Sequence, residues 1–86
     1  MRILHVIKRM DDICAWETAA RQAEKEGNHV SILLLQDAVF NPVQAEINTF
    51  ACEEDVFSRG VKTDALIVDY EEIVTIILNT DSIICW

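Results

Sequence analysis

Leu33-Leu34-Leu35-Gln36-Asp37-Ala38-Val39-Phe40 is the stretch that decides how this chain folds. An apolar run stops abruptly at an amide and a carboxylate, then turns apolar and aromatic again. Val30 to Leu35 reads as a strand buried on both faces, because its apolar residues run on without polar alternation. Sites in open α/β sheets form just beyond the carboxyl ends of strands. The stretch therefore delivers Gln36 and Asp37 to the edge where chemistry is expected. Asp37 is read as capping backbone amides of the turn that follows.

Working back toward the start, Ile3 to Ile7 is a first short strand with β-branched members. Asp11-Asp12 supplies an N-cap and negative charge for a helix from Ile13 to Glu26. Ile13, Trp16, Ala20 and Ala23 share the face expected to be buried, and Gly27 suits the helix stop. Working forward, Pro42 can open a short helix over Val43–Asn48. Thr49–Cys52 is a third strand, and Glu53–Ser58 a short helix closed by Arg59-Gly60. Ala65–Val68 is a fourth strand. Asp69 caps a helix from Tyr70 to Leu78, with Ile73, Val74, Ile77 and Leu78 expected inside. Ile83–Trp86 closes the chain as a last strand. The alternation of strand and helix predicts one domain over residues 1–86. Its class is a small three-layer, flavodoxin-like α/β fold with a mainly parallel sheet of 4–5 strands and helices on both faces. The expected strand order is 2-1-3-4, with a fifth strand at the edge.

Composition bounds the function. A domain of 86 residues buries only about two-thirds of its unfolded surface, yet 51% of this one is hydrophobic. The excess points to subunit contact, the alternative being an apolar sheet covered on both faces. The net charge of −8 repels phosphate backbones, so nucleic acid is disfavoured and a basic protein partner fits. No apolar run approaches the roughly 18–20 residues that span a bilayer. Met1 to Lys8 is too short and too charged for a signal peptide, so a cytoplasmic protein is expected.

Several chemistries are weighed and set aside. The two glycines, Gly27 and Gly60, are both helix stops, and the loop Lys8–Asp12 has none, so a dinucleotide cradle is disfavoured. Asp11-Asp12 also suits magnesium in a receiver domain, but Cys52-Glu53-Glu54-Asp55 after strand three is a poor match for the phosphate acceptor. Cys14, Cys52 and Cys85 show neither disulfide nor zinc spacing, and no metal or cofactor is expected. Cys14 is the weak candidate for thiol chemistry. It sits in the first helical turn, where the dipole favours thiolate and Asp11, Asp12 and Glu17 oppose it. His5 and His29 are read as structural.

Three segments in order resemble the DsrH/TusB family of sulfur-relay subunits. Leu33–Phe40 is similar to its LLLQDGVY-type segment, and Glu54-Asp55-Val56-Phe57-Ser58-Arg59-Gly60 to its acidic-then-Arg-Gly segment. Ile67-Val68-Asp69-Tyr70-Glu71-Glu72-Ile73-Val74 is similar to its IDYxxFV segment, and Trp86 matches a near-terminal tryptophan. The resemblance implies a DsrE-like parallel fold. It implies an accessory, more structural than catalytic, subunit of a DsrEFH- or TusBCD-like complex with DsrE/TusD-like and DsrF/TusC-like partners. Such complexes pass persulfide sulfur toward 2-thiolation of the tRNA wobble uridine or through sulfur oxidation. The motif residues so marked are Gln36, Asp37, Arg59, Gly60, Asp69 and Tyr70, and Val39, Phe40 and Trp86 are expected at subunit contacts. Two alternatives stand beside this reading: a sulfane-sulfur carrier acting through Cys14, and a homo-oligomeric α/β binding domain.

Overall fold

A computed structural model, describing residues 1–44 and 46–86, has the predicted alternation. In chain order the elements are β1 (Arg2–Ile7), α1 (Ile13–Ala23), β2 (His29–Leu34), a 3₁₀ helix (Gln36–Phe40) and β3 (Asn48–Cys52). There follow α2 (Glu53–Arg59), β4 (Leu66–Val68), α3 (Tyr70–Leu78) and β5 (Ser82–Cys85). All five strands are parallel. The result is a small three-layer α/β fold with helices on both faces.

The strand order is β4-β3-β2-β1-β5, not the expected 2-1-3-4. Three successive crossovers step in one direction, and only the β4-to-β5 connection reverses. Right-handed crossovers then place α1, the 3₁₀ helix and α2 on one face and α3 alone on the other. Hydropathy marks which strands are buried, but it carries no information on the direction of each step.

The two faces differ in how well they are covered. Ile3, Ile7, Ile32, Leu34, Val39, Ala51 and Val56 meet Ala15, Trp16 and Ala19 of α1 in the larger core. Alanines let that helix lie close on the sheet. On the opposite face Leu4, Val6, Leu33 and Val68 form a smaller core, closed by Ile73 and Ile76 of α3. None of the α3 residues is buried, and Val74, Ile77 and Leu78, expected inside, are 38%, 38% and 78% exposed. One helix is too narrow to be covered from both sides on a face it shares with no other.

α1 is rotated from its expected face. Ala15, Trp16 and Ala19 point inward and Ile13 is exposed. The reason is Gln22, which turns inward to meet His5. The helix also ends at Ala23 rather than Glu26, and Gly27 lies in the loop beyond, with φ +87°. The helix expected over residues 43–48 does not form at its described positions. Val43 and Gln44 are irregular, Glu46 and Ile47 turn, and Asn48 opens β3, while Ala45 lies outside the described residues. The helical turn falls earlier, at Gln36–Phe40. Elsewhere the caps are as read. Asp12 caps α1, Asp69 caps α3 in a reciprocal capping box with Glu72, and Gly60 ends α2 in the left-handed region at φ +61°.

Candidate functional site at the carboxyl edge of the sheet

β3 leads into α2 on one face, and its neighbour β4 leads into α3 on the other. Their loops diverge, which opens a crevice at a topological switch point, the usual place for a site in a sheet of this kind. The crevice holds about 270 Å³ and is lined by Cys52, Glu53, Glu54 and Phe57 on one side and Asp69, Tyr70 and Ile73 on the other. Val68 forms part of its wall. Cys52 is half-buried and its thiol is free. Three carboxylates, Glu53, Glu54 and Asp69, share the crevice with it, a setting that suits cationic groups. Phe57 and Tyr70 stand out at the rim, 68% and 79% exposed.

Next to the crevice, the end of β2 is fastened to α2. Gln36 takes a left-handed backbone at φ +52°, rare for a residue with a Cβ. Its backbone N–H donates to Asp55 Oδ2 at 2.8 Å. Arg59 Nη1 donates to Asp55 Oδ1 at 3.2 Å, and Arg59 Nε donates to Asp37 Oδ1 at 3.1 Å. Asp37 therefore pairs with Arg59 instead of capping the turn. Among the described residues, the one backbone amide of this turn that a distant carboxylate holds is Gln36 N, bound by Asp55, 19 residues onward. Gln36, Asp37 and Arg59 are thus one cluster, with Gly60 ending the helix that carries Arg59, while Asp69 and Tyr70 line the crevice beside it. Asp55 was missed, although the acid four residues before Arg59 is a visible i,i+4 signal.

The expected contact residues separate. Val39 is 1% exposed and belongs to the core, so in this fold it cannot face a partner. The 3₁₀ helix turns successive side chains by about a third of a revolution, which puts Val39 inward and leaves Phe40 47% exposed. Trp86 lies half-buried against the larger core. Its indole N–H donates to His5 Nδ1 at 2.9 Å, and the rings stack with centroids 6.0 Å apart. An indole N–H can only donate. His5 Nδ1 is therefore the acceptor, and Nε2 carries the proton that Gln22 Oε1 accepts at 2.6 Å. His5 is fully buried and fully satisfied, a structural residue. His29 pairs with Arg2 at the far end of the sheet, away from His5.

Cys14 is exposed in the first turn of α1, and Cys85 is exposed on the edge strand β5. Neither lines the crevice. Asn41, 5% exposed, fixes the loop before Cys14: its Oδ1 accepts from Asp11 N at 3.0 Å and its Nδ2 donates to Arg9 O at 3.3 Å. Asp11 is thereby held at φ +58°. Among the described residues no group of three or more His, Cys, Asp or Glu side chains is placed to hold a metal, and no helix is long and apolar enough to cross a membrane. Compared with known proteins, the chain matches no family model and no curated sequence.

Proposed function

We propose that this chain is an accessory subunit of a cytoplasmic sulfur-relay assembly of the DsrEFH/TusBCD kind, working beside DsrE/TusD-like and DsrF/TusC-like subunits. Its task is to support persulfide transfer toward tRNA wobble-uridine 2-thiolation or in sulfur oxidation. The observation that carries the reading is the meeting of the three segments on which the family resemblance rests. Gln36 and Asp37 from the first are bonded to Asp55 and Arg59 of the second, and Asp69 and Tyr70 of the third line the adjoining crevice. An accessory role agrees with the chemistry of that edge, where the nearest thiol, Cys52, sits among Glu53, Glu54 and Asp69. It agrees too with the apolar surface left on α3 and at Phe40, which a subunit hides in its assembly.

Co-expression with DsrE-like and DsrF-like subunits tests the assembly. A stable complex is expected, and a chain that purifies alone in their presence refutes it. One observation favours a carrier as second reading: Cys14 is exposed at the start of a helix. In that case the Cys14 thiolate attacks the outer sulfur of a donor persulfide, forming a new S–S bond as the donor leaves as thiolate. Mass spectrometry after exposure to a persulfide donor separates the two. The accessory reading expects no cysteine to gain the mass of one sulfur atom, and the carrier reading expects the gain at Cys14, lost in Cys14→Ser.

A further inference from the structure

From Asp64 to Trp86 the chain has the acids Asp64, Asp69, Glu71, Glu72 and Asp81 and neither lysine nor arginine. This stretch builds β4, α3 and β5, and with them most of the thinly covered face. Between α3 and edge strand β4 runs a groove of about 390 Å³. Phe50, Leu66, Val68 and Ile76 give it an apolar floor, and Asp69, Glu71 and Glu72 an acidic margin. Leu66 is 62% exposed within it. Asp69 and Glu72 each commit one carboxylate oxygen to the capping box, and among the described residues neither their second oxygens nor the Glu71 carboxylate has a hydrogen-bond or ion-pair partner.

An apolar floor with an acid-only margin fits side chains that are apolar along their length and cationic at the tip, or leucines flanked by such residues. It does not fit a second copy of the same face, which would oppose acid to acid. We propose that this groove docks a basic, leucine- or isoleucine-containing segment of a different protein chain. Apolar side chains lie on Leu66, Val68 and Phe50, and lysine or arginine heads pair with Glu71, Asp69 and Glu72. The inference deepens the accessory-subunit reading and rests on it, since it names the kind of surface by which one partner is held.

Two short synthetic peptides test it, one alternating leucine with lysine and its twin carrying glutamate for lysine. Binding to the intact chain is followed by calorimetry and by backbone amide shifts. The lysine peptide is expected to bind, to shift the amides of Leu66, Val68 and Ile76, and to bind more weakly as salt rises through the range where the Debye length falls below about 10 Å. Glu71→Lys should weaken it by up to about fivefold, the upper range for an exposed ion pair, and Leu66→Ser should weaken it too. Both positions are exposed, so both variants should keep the parent's circular dichroism. Leu78→Ser, outside the groove, should leave binding unchanged. Equal binding of the two peptides, shifts confined to other surfaces, or no saturable binding of the lysine peptide overturns the proposal. So does self-association through the groove that Glu71→Lys strengthens, or sedimentation with phosphatidylglycerol vesicles that Leu66→Ser abolishes. If the chain joins its relay partners while the groove fails these tests, the docking inference falls and the accessory-subunit reading remains. If no complex forms, the relay reading falls with it.

Discussion

Two residues show how single side chains hold this fold together. Trp86 and His5 are 81 positions apart in sequence, yet among the described residues the indole N–H is the sole donor to a buried imidazole nitrogen. Trp86→Phe keeps an aromatic ring and removes that donor, leaving His5 Nδ1 buried without a partner. The expected loss is about 1–3 kcal/mol, the cost of an unsatisfied buried polar atom, read as a lower urea midpoint with unchanged slope. Gln36 works the other way, because its left-handed backbone suits glycine better than any residue with a Cβ. Left-handed backbone costs an ordinary residue roughly 1–2 kcal/mol, part of which glycine returns as unfolded-chain entropy. Gln36→Gly should therefore stabilise by up to about 1 kcal/mol. Gln36→Val, β-branched, should destabilise by more than that, and thermal melts of the pair decide it. Equal melting of the two variants refutes a conformational role for this position.

At the scale of elements, α3 is the least buried of the helices. It has no buried residue, and Asp69 with Glu72 at its first turn supplies the local order that packing does not. Asp69→Ala removes the cap and should cost about 1 kcal/mol. Hydrogen exchange should show Val74–Leu78 opening faster than α1 or β2, and faster again in Asp69→Ala, because thinly covered elements open at less than the global free energy. Uniform protection across α1 and α3 contradicts this. The same helix also marks what a sequence reader can and cannot see. Its bounds, Tyr70–Leu78, and its Asp69 cap follow from local signals that need no partner. Its buried face does not, because the spacing of Ile73, Val74, Ile77 and Leu78 marks an apolar side without saying whether anything covers it. The turn at Gln36–Phe40 is legible after its strand, but what anchors it is not, for a related reason. It depends on Asp55 reaching Gln36 N across the fold. The rotation of α1 depends on Gln22 answering a histidine in β1. The candidate site was legible as segments, through Gln36-Asp37, Arg59-Gly60 and Asp69-Tyr70. It was not legible as a crevice, because that rests on β3 and β4 being neighbours whose helices leave to opposite faces.

For the whole molecule, the sheet fixes an asymmetry between a well-covered face and an open one, and Phe40 adds apolar surface away from the open face. Val39 and Phe40 are adjacent, yet one is 1% exposed and the other 47%. Truncating each to alanine separates folding from assembly within a single turn. Val39→Ala leaves a void in the larger core and should lower stability by roughly 2 kcal/mol. In sedimentation at concentrations where the chain remains folded, it should leave association with the proposed partner subunits intact. Phe40→Ala removes a ring that is half in solvent, so the urea midpoint should move little. Association should weaken, because exposed aromatic residues are where interfaces concentrate their binding energy. The outcome that reverses this assignment is a Phe40→Ala chain that unfolds early while its complex, once formed, is unchanged. The ring then serves the fold of the loop around Asn41, and the surface left to hold the proposed partner is α3 with its acidic groove alone.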